Sequence, residues 1–512
     1  MVRKSAILRV SAHSRCNYPD RGVRAMRILL VQPGFHRGNI GFHVAAQTEP
    51  LALEMLAATL PDDDVAILDL RLDAELPEVL QRFVPDVVAV TALTTEVYAA
   101  QAVLQTVKAH AAEIFTVVGG HHATLIPADF HLDCVDAICL GEGDYVLPAL
   151  VEALRTGEGP AGVPGLVWRD RDGQFVRNLH APPEVNIDRL PLPRRDLVLR
   201  YQPEYFFLYF QPDSSVATGR GCPFRCNFCS VAEFYGGRTS QMCPERVVEE
   251  VGAVDTAHIW FVDDNFLMGH RRAIDIAQRI KAAGIARRYS MQCRSDSIVR
   301  HPEVMEQWAE IGLDGVLLGL EGASDAMLAS LNKKSTAGAN DEAIHILQAN
   351  GIIIWGAFIV DPDWTAQDFK LLEDYVMRNH ITHAQFTVLT PLPGTQLYRE
   401  RRDQLLTDDY TCYDALHSVL PTRLPREEFY RRFAALYGKP NVQASYDLIC
   451  DGRITIQEFK RGHKILQSLG QWENYTENDP ILRGHPGVRV AKAAPALHAL
   501  SGFGERDFGV RA

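Results

Sequence analysis

Three of the ten cysteines lie within eight residues of one another. Cys222, Cys226 and Cys229 follow a C-x3-C-x2-C spacing on one short segment. Three thiolates on one loop can each hold one iron of a [4Fe-4S] cubane, which leaves the fourth iron without a protein ligand and open to a small molecule. The spacing therefore predicts a metal-binding loop that carries a cluster with one exchangeable iron.

Two other interpretations of these cysteines stay open. A structural zinc site needs four ligands, usually in two pairs, and Cys243 is the nearest further thiol in the sequence. The three cysteines could also be unrelated buried thiols. Their spacing favours the cluster, and so does their position directly after a predicted strand.

The composition is that of a folded protein in a reducing compartment. Of the 512 residues, 47% are hydrophobic and 23% are charged, and ten cysteines are too few for a disulfide scaffold. Because no apolar block resembles a secretion signal, we expect a cytoplasmic location. The net charge of −12 argues against a protein that grips nucleic acid through its phosphates.

The elements that must position the cysteines begin with a first β/α region. Residues 26–155 alternate apolar strands with helical periods, which predicts a doubly wound parallel sheet. The predicted strands are Arg27–Gln32, Val65–Leu70, Asp86–Thr91 and Phe115–Gly119. Ligands of such sheets bind beyond the carboxyl ends of the strands. Small residues and hydroxyls occupy these ends, so a bulky ligand could approach the backbone.

A second alternation begins at about Ser214 and predicts six β/α units, enough for a partial (β/α)6 barrel. Its predicted strands are Ser215–Thr218, His258–Val262, Tyr289–Cys293, Gly315–Leu320, Ile352–Val360 and Ala384–Leu389. Active groups in such barrels lie at the carboxyl ends of the strands. The polar candidates there are Asp263, Asp264, Arg294 and Glu321, each of which could otherwise be a helix cap or a surface ion pair.

The predicted fold class is α/β, with the barrel followed by a helical region. No window approaches 18 uninterrupted apolar residues, so we expect no transmembrane segment. The predicted organisation is an N-terminal extension at 1–25, a first domain at 26–155, a hairpin and proline-rich connector at 156–212, the barrel at 213–400, a helical region at 401–478 and a flexible tail at 479–512. The extension could also reflect an upstream start codon or a short targeting peptide.

The segment Gly219–Cys229, including the aromatic Phe228 before the last cysteine, resembles the signature of the radical S-adenosylmethionine (SAM) enzymes. The resemblance extends from residue 26 to about residue 440. The N-terminal half resembles the cobalamin-binding domain that precedes the radical domain in one large subgroup. Its matching pieces are Glu49-Pro50-Leu51, Thr91–Thr95, Gly119–Thr124 and Gly141-Glu142-Gly143.

The resemblance implies three cofactors, namely a [4Fe-4S] cluster, SAM and cobalamin. It implies Cys222, Cys226 and Cys229 as cluster ligands. The expected SAM-binding residues are Phe228, Asp263, Asp264, Arg294, Glu321 and Pro391. The expected cobalamin-binding residues are Glu49, Pro50, Thr91, Leu93, Thr94, Gly119, Gly120, His121, Thr124, Gly141, Glu142 and Gly143. No catalytic side chain is assigned.

One departure concerns the cobalt. Many cobalamin domains carry Asp-x-His-x-x-Gly after the first strand, but Pro33–Asn39 has no such motif. Cobalamin could therefore bind without a histidine on cobalt. His121 and His122 are expected to line the ligand edge or a turn. His36 and His43 are interpreted as polar loop residues, although His43 could face the cobalt.

The resemblance implies that the reduced cluster cleaves SAM to methionine and a 5′-deoxyadenosyl radical, which takes hydrogen from an unactivated carbon. In the methyltransferase branch, methylcobalamin then supplies a methyl group to the substrate. The chain looks like the hopanoid C-3 methylase branch through the ending of its sixth barrel strand and residues 414–425. Tyr413 and His417 there could cap a substrate cavity or belong to a helix junction. We therefore expect a C-methyltransferase acting on a lipid or natural product.

Three alternatives remain at this stage. The layout also resembles the anaerobic magnesium-protoporphyrin ester cyclase, which would mean cyclisation or oxidation without methyl transfer. A tRNA methylthiotransferase would need a second set of cluster cysteines, which Cys134 and Cys139 do not supply. A corrinoid- or zinc-binding regulator would bind no cluster. The expected partners are a small-molecule or lipid substrate and an electron donor such as flavodoxin or ferredoxin, with no nucleic acid. A lipid substrate would allow peripheral membrane contact.

Overall fold

The computed structural model describes residues 24–35, 39–40, 44–178, 186–381, 383–438, 449–450, 452, 454–477, 479 and 481–483. Almost all of the predicted extension and of the predicted flexible tail lies outside these residues, as do His36 and His43. Among the described residues, no helix is both long enough and apolar enough to cross a bilayer.

The first sheet has the strand order β3-β1-β4-β5-β6-β7-β8. The pairs from β3 to β6 are parallel, which confirms the doubly wound sheet. Its strands are β1 (Arg27–Gln32), β3 (Asp64–Asp69), β4 (Val87–Thr91), β5 (Phe115–Gly119), β6 (Ala137–Cys139), β7 (Leu166–Arg169) and β8 (Phe175–Arg177). The predicted hairpin forms β7 and β8, which extend this sheet as antiparallel strands.

Helices cover both faces of this sheet, because its central strands are apolar on both faces. Residues Ile28 to Val31 are completely buried, and the apolar side chains divide into one cluster on each side of the sheet. The helices are α1 (Leu51–Ala58), α2 (Leu76–Phe83), α3 (Val97–His110), α4 (His121–Leu125) and α5 (Gly143–Thr156). The carboxyl ends of β4, β5 and β6 therefore open toward α4 and α5.

The second sheet has six parallel strands in the order β10-β13-β14-β15-β16-β17, which confirms the partial barrel. These strands are β10 (Asp213–Val216), β13 (His258–Phe261), β14 (Arg288–Arg294), β15 (Leu313–Glu321), β16 (Ile353–Val360) and β17 (His383–Val388). Two short pairs complete the strands: β2 (Ala46–Gln47) with β9 (Phe206–Phe207), and β11 (Gly219–Arg220) with β12 (Ser240–Gln241).

Helices follow the barrel strands and continue into the C-terminal region. They are α6 (Val231–Phe234), α7 (Pro244–Gly252), α8 (His270–Ala282), α9 (Ser295–Arg300), α10 (Pro302–Glu310), α11 (Asp325–Ser330), α12 (Ala337–Ala349), α13 (Ala366–Arg378), α14 (Gln396–Arg401), α15 (Arg426–Leu436), α16 (Ile456–Leu469) and α17 (Trp472–Glu477). Pro244 and Pro302 open α7 and α10, where a missing N–H costs least.

A buried ion pair joins the two sheets at the start of the barrel. Glu49, just before α1, accepts hydrogen bonds from Ser215 N at 2.7 Å and from Arg195 Nε at 3.4 Å. Arg195 also donates to Ser215 O at 2.6 Å and to Glu250 at 3.1 Å. Burial raises the pKa of Glu49, whereas the nearby Arg195 lowers it. Glu49 therefore anchors β10 to the first sheet.

Gly315 on β15 gives a stability prediction for the barrel. A Cβ at this position would lie 2.5 to 2.9 Å from ring atoms of Trp355 on the neighbouring strand, and that ring is buried. We expect Gly315→Ala to lower the free energy of unfolding by about 1–3 kcal/mol through overpacking, measured by urea denaturation. Gly338→Ala in α12 is the control, because a Cβ there meets no atom closer than 3.9 Å. Equal stability of the two variants would contradict this packing.

Candidate active site

Two aspartates at the end of β13 hold the start of the cysteine loop. The Thr218 backbone N and Oγ1 each donate to the carboxylate of Asp263 at 2.6 Å. Gly221 N donates to Asp264 Oδ2 at 3.0 Å. Gly221 has φ +77°, and a Cβ there would lie 2.2 Å from Arg238 O, so only glycine fits. The strand-end aspartates thus bind the loop backbone.

This use of Asp263 differs from the predicted contact with SAM. Its side chain is almost completely buried, and burial raises the pKa of the carboxyl group to about 6. The hydrogen bonds from Thr218 and the charge of Arg272 lower the pKa and so favour the carboxylate. A SAM contact by Asp263 or Asp264 stays a prediction, whereas their contacts with the loop are direct.

The far side of the cysteine loop is fixed by the segment that follows α11 and by the start of α14. Asn227 N donates to Leu331 O at 3.3 Å, and Asn332 Nδ2 donates to Arg225 O at 2.7 Å. Leu397 N donates to Asn227 O at 2.9 Å. These contacts bind the backbone of an irregular loop from two neighbouring elements. They also bring the predicted Phe228 against a small apolar cluster that includes Leu331 and Leu397.

The charges of neighbouring cysteine thiols in the loop affect the pKa of Cys222 and that of Cys229. Burial raises the pKa of Cys222, and it raises the pKa of Cys229 to about 12, with a further contribution from the charges of Cys226 and Cys222. Three thiolates at this place need compensating positive charge, which the irons of a cluster supply. Within the part of the chain that the structure describes, no three His, Cys, Asp or Glu side chains converge as ligands of a single ion.

Three cysteines on one loop fit a cluster with one open iron better than they fit a structural zinc ion, which needs four ligands. A cubane binds each thiolate at a different iron, so its ligands stand further apart than the ligands of one ion. Cys243, the thiol considered as a fourth zinc ligand, lies at the start of α7, where its N donates to Asp188 Oδ1 at 2.6 Å. Cys222, Cys226 and Cys229 are therefore suited to hold a [4Fe-4S] cluster.

Arg294, at the end of β14, lies directly beside the cysteine loop. Its guanidinium covers the Phe224 ring at 3.6 Å, and its Nη1 is 3.8 Å from Cys226 Sγ. Its Nε donates to Asp296 at 2.9 Å, but its buried Nη2 has no hydrogen-bond partner among the described residues. An unpartnered buried guanidinium nitrogen suits a carboxylate. This site fits the carboxylate group of SAM.

Glu321, at the end of β15, forms a buried ion pair with Lys333 that the sequence analysis missed. Lys333 Nζ also donates to Gly319 O at 2.9 Å. Glu321 has φ +58°, which is rare for a residue with a side chain and marks backbone strain. The predicted Pro391 is buried beyond the end of β17. The contacts of Glu321 and Pro391 with SAM stay predictions.

At the carboxyl edge of the first sheet, Thr124 joins two of the predicted cobalamin loops. Its Oγ1 donates to Gly120 O at 2.8 Å and accepts from Gly141 N at 2.9 Å. A Cβ on Gly120, which has φ +94°, would lie 2.7 Å from Thr91 Oγ1. The α-carbon of Gly141 faces open space, since a Cβ there would meet no atom within 4 Å. This carboxyl edge of the first sheet, which we call the cobalamin edge, is a cradle of small residues with room for a bulky ligand.

The loop after β4 adds an apolar side chain to this edge. Leu93 is 53% exposed, which is unusual for leucine and suits the apolar face of a large cofactor. Thr94 Oγ1 contacts His122 Nδ1 at 3.1 Å, and His122 Nε2 contacts Asp129 at 2.9 Å. The contact of Thr94 with cobalamin stays a prediction. Both ring nitrogens of His122 are therefore engaged within the protein.

His121 lies where the first sheet meets the cysteine loop. Its ring stacks on Phe234 of α6 at 4.7 Å, and α6 begins two residues after Cys229. Burial lowers the pKa of His121 to about 4, so the ring is neutral, and its buried Nε2 has no partner within the described residues. The cobalamin edge thus reaches the element that follows the cysteines.

Arg220 forms a second contact between the cobalamin edge and the barrel edge, which is the set of carboxyl ends of the barrel strands together with the cysteine loop. This contact is an ion-pair clamp. Arg220 Nη1 lies 2.5 Å from Glu142 Oε1 and 2.6 Å from Asp144 Oδ2, and all three side chains are largely buried. Arg220 is two residues before Cys222, whereas Glu142 directly precedes α5 and Asp144 lies in the first turn of α5. The side chain of Glu142 thus binds Arg220 at the start of the cysteine loop, and its predicted contact with cobalamin stays a prediction.

Three further residues predicted to bind cobalamin, Pro50, Gly119 and Gly143, contact neighbouring elements of the first sheet. Pro50 precedes α1, and a Cβ on Gly143 would lie 3.0 Å from Leu56 of that helix. Gly119 O accepts a hydrogen bond from Ala92 N at 3.0 Å. Gly119 therefore belongs to the cradle, whereas Pro50 and Gly143 lie where α1 meets α5. Contacts of these residues with cobalamin stay predictions.

Residues 405–420, which we call the bridging segment, connect the barrel to the first sheet. Tyr410 donates to Asp129 at 2.7 Å, and Asp414 accepts from Ile40 N at 2.9 Å. His417 Nδ1 contacts Asp414 at 3.0 Å, and burial leaves its Nε2 without a partner in the described part of the chain. The contacts with Asp129 and Ile40 could not be predicted from the sequence, because in each case the partners lie hundreds of residues apart in the chain.

Comparison with known families agrees with this arrangement. Residues 216–376 match the model of the radical SAM superfamily, and residues 39–151 match that of the B12 binding domain. The chain is 33% identical to the hopanoid C-3 methylase of Methylococcus capsulatus, over 76% of this chain and 75% of the relative. It is 32% identical to an uncharacterized methyltransferase of Pyrococcus horikoshii, over 78% and 88%.

A more distant relative is the anaerobic magnesium-protoporphyrin IX monomethyl ester cyclase of Rubrivivax gelatinosus, at 26% identity over 88% of this chain and 86% of the relative. Two solved structures share the fold. The cobalamin-dependent SAM radical enzyme OxsB aligns with a TM-score of 0.68 at 16% identity, over 88% of this chain and 72% of OxsB. The methyltransferase TsrM of Kitasatospora setae aligns with a TM-score of 0.63 at 20% identity, over 90% and 99%.

The family matches and the geometry of the two edges agree on the cofactors, which are a [4Fe-4S] cluster, SAM and cobalamin. They also identify the chain as an enzyme, which excludes the non-catalytic regulator. The chain belongs to the radical SAM superfamily, in the group of cobalamin-dependent enzymes that carry a B12-binding domain ahead of the radical SAM domain.

Proposed function

We propose that this protein is a C-methyltransferase that acts on an unactivated carbon of a lipid or natural product. The observation that carries the proposal is the clamp of Arg220 with Glu142 and Asp144, which joins the cobalamin edge to the cysteine loop. Methyl transfer to a carbon that has lost its hydrogen requires both edges to reach one substrate atom. A fixed distance between the edges provides that proximity.

The residues of the barrel edge have separate tasks in this proposal. Cys222, Cys226 and Cys229 would hold the cluster, and Arg294 Nη2 would bind the carboxylate of SAM. Asp263 would keep the loop in place through its bonds to Thr218. When bound, the cluster and SAM supply hydrogen abstraction, and cobalamin supplies the methyl group.

The residues of the cobalamin edge orient their ligand without adding charge to it. The cradle of Thr91, Gly120 and Gly141 would admit the ring system, and Leu93 would cover part of its apolar surface. His121 is neutral, and its ring is held by stacking on Phe234. It would line the cavity between the two edges, in agreement with binding of cobalamin without a histidine on cobalt.

Two observations support a lipid or natural product as the substrate class. The relative at 33% identity is named for methylation of hopanoids. The bridging segment contributes a buried apolar cluster of Leu405, Tyr413, Val419 and Leu420, against which Leu392 packs from the loop after β17. The runner-up function is cyclisation or oxidation, which the cyclase relative at 26% identity supports more weakly. We further propose a cytoplasmic enzyme that contacts a membrane only where its lipid substrate requires it.

The cluster assignment gives the first prediction of this proposal. After anaerobic reconstitution with iron, sulfide and hydroxocobalamin, we expect about four irons per chain. We also expect one cobalt per chain, and release of 5′-deoxyadenosine when SAM and a reductant are added. The variant in which Cys222, Cys226 and Cys229 are all changed to Ala should lose iron and SAM cleavage but keep cobalt, because the cobalamin edge lies on the other sheet.

Cys243→Ala is the matched control for this experiment. It removes a thiol outside the loop and should leave the iron content unchanged. Loss of iron in this control, or binding of zinc by the wild-type chain in place of iron, would contradict the cluster assignment. A wild-type chain with cluster and cleavage but no cobalt would remove cobalamin from the mechanism.

The reaction outcome gives a second prediction, which separates the two candidate functions. With SAM that carries a trideuterated methyl group, the product should gain one methyl group that holds all three deuterium atoms, detected by mass spectrometry. Cyclisation or oxidation would give a product without deuterium. Candidate substrates are polycyclic lipids, tested singly. Cleavage of SAM with a deuterium-free product would overturn methyl transfer while leaving the cofactors in place.

The Arg220 clamp gives a third prediction. In Arg220→Gln, we expect methyl transfer to fall about 100-fold, because a small misplacement of two reacting edges is costly. Formation of 5′-deoxyadenosine, which depends on the barrel side of the site and not on the cobalamin edge, should be largely retained, so the ratio of cleaved SAM to methylated product rises. Arg271→Gln on α8 is the control, since Arg271 is exposed. An equal loss of cleavage and transfer would contradict a positioning role for Arg220.

A further inference from the structure

The inner face of the barrel is accessible over its carboxyl half. In this half of β15, β16 and β17, partly exposed residues alternate with buried ones. The buried residues, such as Phe358 and Phe386, share one apolar cluster with Leu372 of the outer helix α13. Because alternate residues of a strand point to opposite faces, the partly exposed ones face the interior, which we call the lumen. Its lining includes Gln292, Leu317, Ala357, Ile359, Gln385 and Thr387.

Aromatic rings form the floor of the lumen, toward the amino ends of the strands. The Phe207 ring stacks on that of Trp260 with their centres 4.1 Å apart, and its edge contact with Trp355 is at 5.3 Å. Both tryptophans are buried, and Leu317 packs against this cluster from the wall. The lumen therefore opens toward the carboxyl ends of the strands, where the cysteine loop lies.

Gln292 and Gln385 bring free hydrogen-bonding groups into the lumen. Among the described residues, neither side-chain amide has a hydrogen-bond partner. Thr387 differs, because its Oγ1 donates to Phe358 O at 3.2 Å. An amide side chain has an acceptor oxygen and a donor NH2 group, so it matches a hydroxyl group, which both donates and accepts. The two glutamines are therefore suited to bind an uncharged polar group.

The charge of the lumen restricts its occupant further. None of the six lining residues is charged. At the carboxyl end of the lumen, Glu321 and Lys333 already pair with each other, and Arg294 lies beside the cysteine loop. A carboxylate or an ammonium group deep in the lumen would be desolvated without a counter-ion, which is costly. Leu317 and Ile359 instead offer an apolar wall, so an apolar molecule with a hydroxyl group fits best.

We propose that Gln292 and Gln385 determine substrate specificity by recognising a hydroxylated end of the substrate inside the lumen. The inference rests on the proposed function and narrows its substrate class to uncharged lipids or natural products that carry a hydroxyl group. The amides exchange hydrogen bonds with the hydroxylated end, and the apolar body contacts Leu317 and Ile359. A site built in this way rejects an analogue without the hydroxyl group, because its own polar groups would then stay unpaired.

The test measures binding and specificity on the reconstituted full chain. The probes are polycyclic alcohols, each paired with the hydrocarbon of the same ring system and delivered with cyclodextrin, and their Kd values are measured by equilibrium dialysis. The wild type should bind an alcohol at least about tenfold more tightly than its hydrocarbon. In the variant Gln292→Leu, Gln385→Leu, this ratio should fall to about one, because leucine has a similar volume but forms no hydrogen bond.

Two Kd values of the double variant should stay as in the wild type. The Kd of the hydrocarbon reports an intact lumen, and the Kd of SAM reports that the amides do not bind this cofactor. Gln105→Leu is the matched control, since Gln105 is exposed on α3 of the first sheet. It should keep the preference for the alcohol.

Four results would overturn the proposal. Equal binding of alcohol and hydrocarbon by the wild type, or an unchanged ratio in the double variant, would remove the recognition of a hydroxyl group. A weaker Kd for SAM would assign the amides to SAM. Equal weakening of both probes would mean that the glutamines support the barrel. If the wild-type chain cleaves SAM but transfers no methyl group, the proposed function fails, and the Kd ratios still decide whether the glutamines bind a hydroxyl group.

Discussion

The buried guanidinium of Arg220 holds together the two edges on which the rest of the site depends. Removing a charge from water costs several kcal/mol, and only close, well-placed partners offset that cost. Arg220 has two such partners, Glu142 and Asp144, and both come from the other sheet. Any separation of the sheets would leave three buried charges without partners. The ion pairs therefore hold the distance between the two edges within a narrow range. Apolar packing alone would let the two sheets slide past each other.

The irregular cysteine loop also depends on partners for buried polar groups. It has no regular ladder of backbone hydrogen bonds, so its buried N–H and C=O groups need other partners. The carboxylates of Asp263 and Asp264 accept from one end of the loop, and the Asn332 amide donates to the other. The barrel strands thus position the cysteines through side chains at their carboxyl ends. Asp263 and Asp264, which are predicted from the sequence to bind a ligand, thus also shape the loop through hydrogen bonds from its backbone.

Much of the fold could be predicted from the sequence, because buried parallel strands are continuous apolar runs. β1 and β5 were predicted with their observed bounds, and the six barrel strands differ by a few residues at their ends. β6 has only three residues and could not be predicted, and the hairpin of β7 and β8 could be predicted only as a separate element, because its pairing with β6 depends on tertiary structure. Local patterns predict elements better than they predict neighbours.

In the candidate site, too, local patterns could be predicted from the sequence, whereas tertiary contacts could not. The three cysteines lie on one segment, so their spacing alone predicted a shared metal. The partners of Glu142 and Glu321 could not be predicted, because a carboxylate in sequence looks alike whether it binds a ligand, a lysine or the backbone. What separates these cases is the hydrogen-bond capacity that folding leaves unused. Arg294 Nη2 and His121 Nε2 are buried and unpartnered, and Gly141 faces open space. Leaving buried polar atoms unpaired is costly, so Arg294 Nη2 and His121 Nε2, which lie beside the cysteine loop and the cobalamin edge, suit a bound ligand better than the carboxylates already in use.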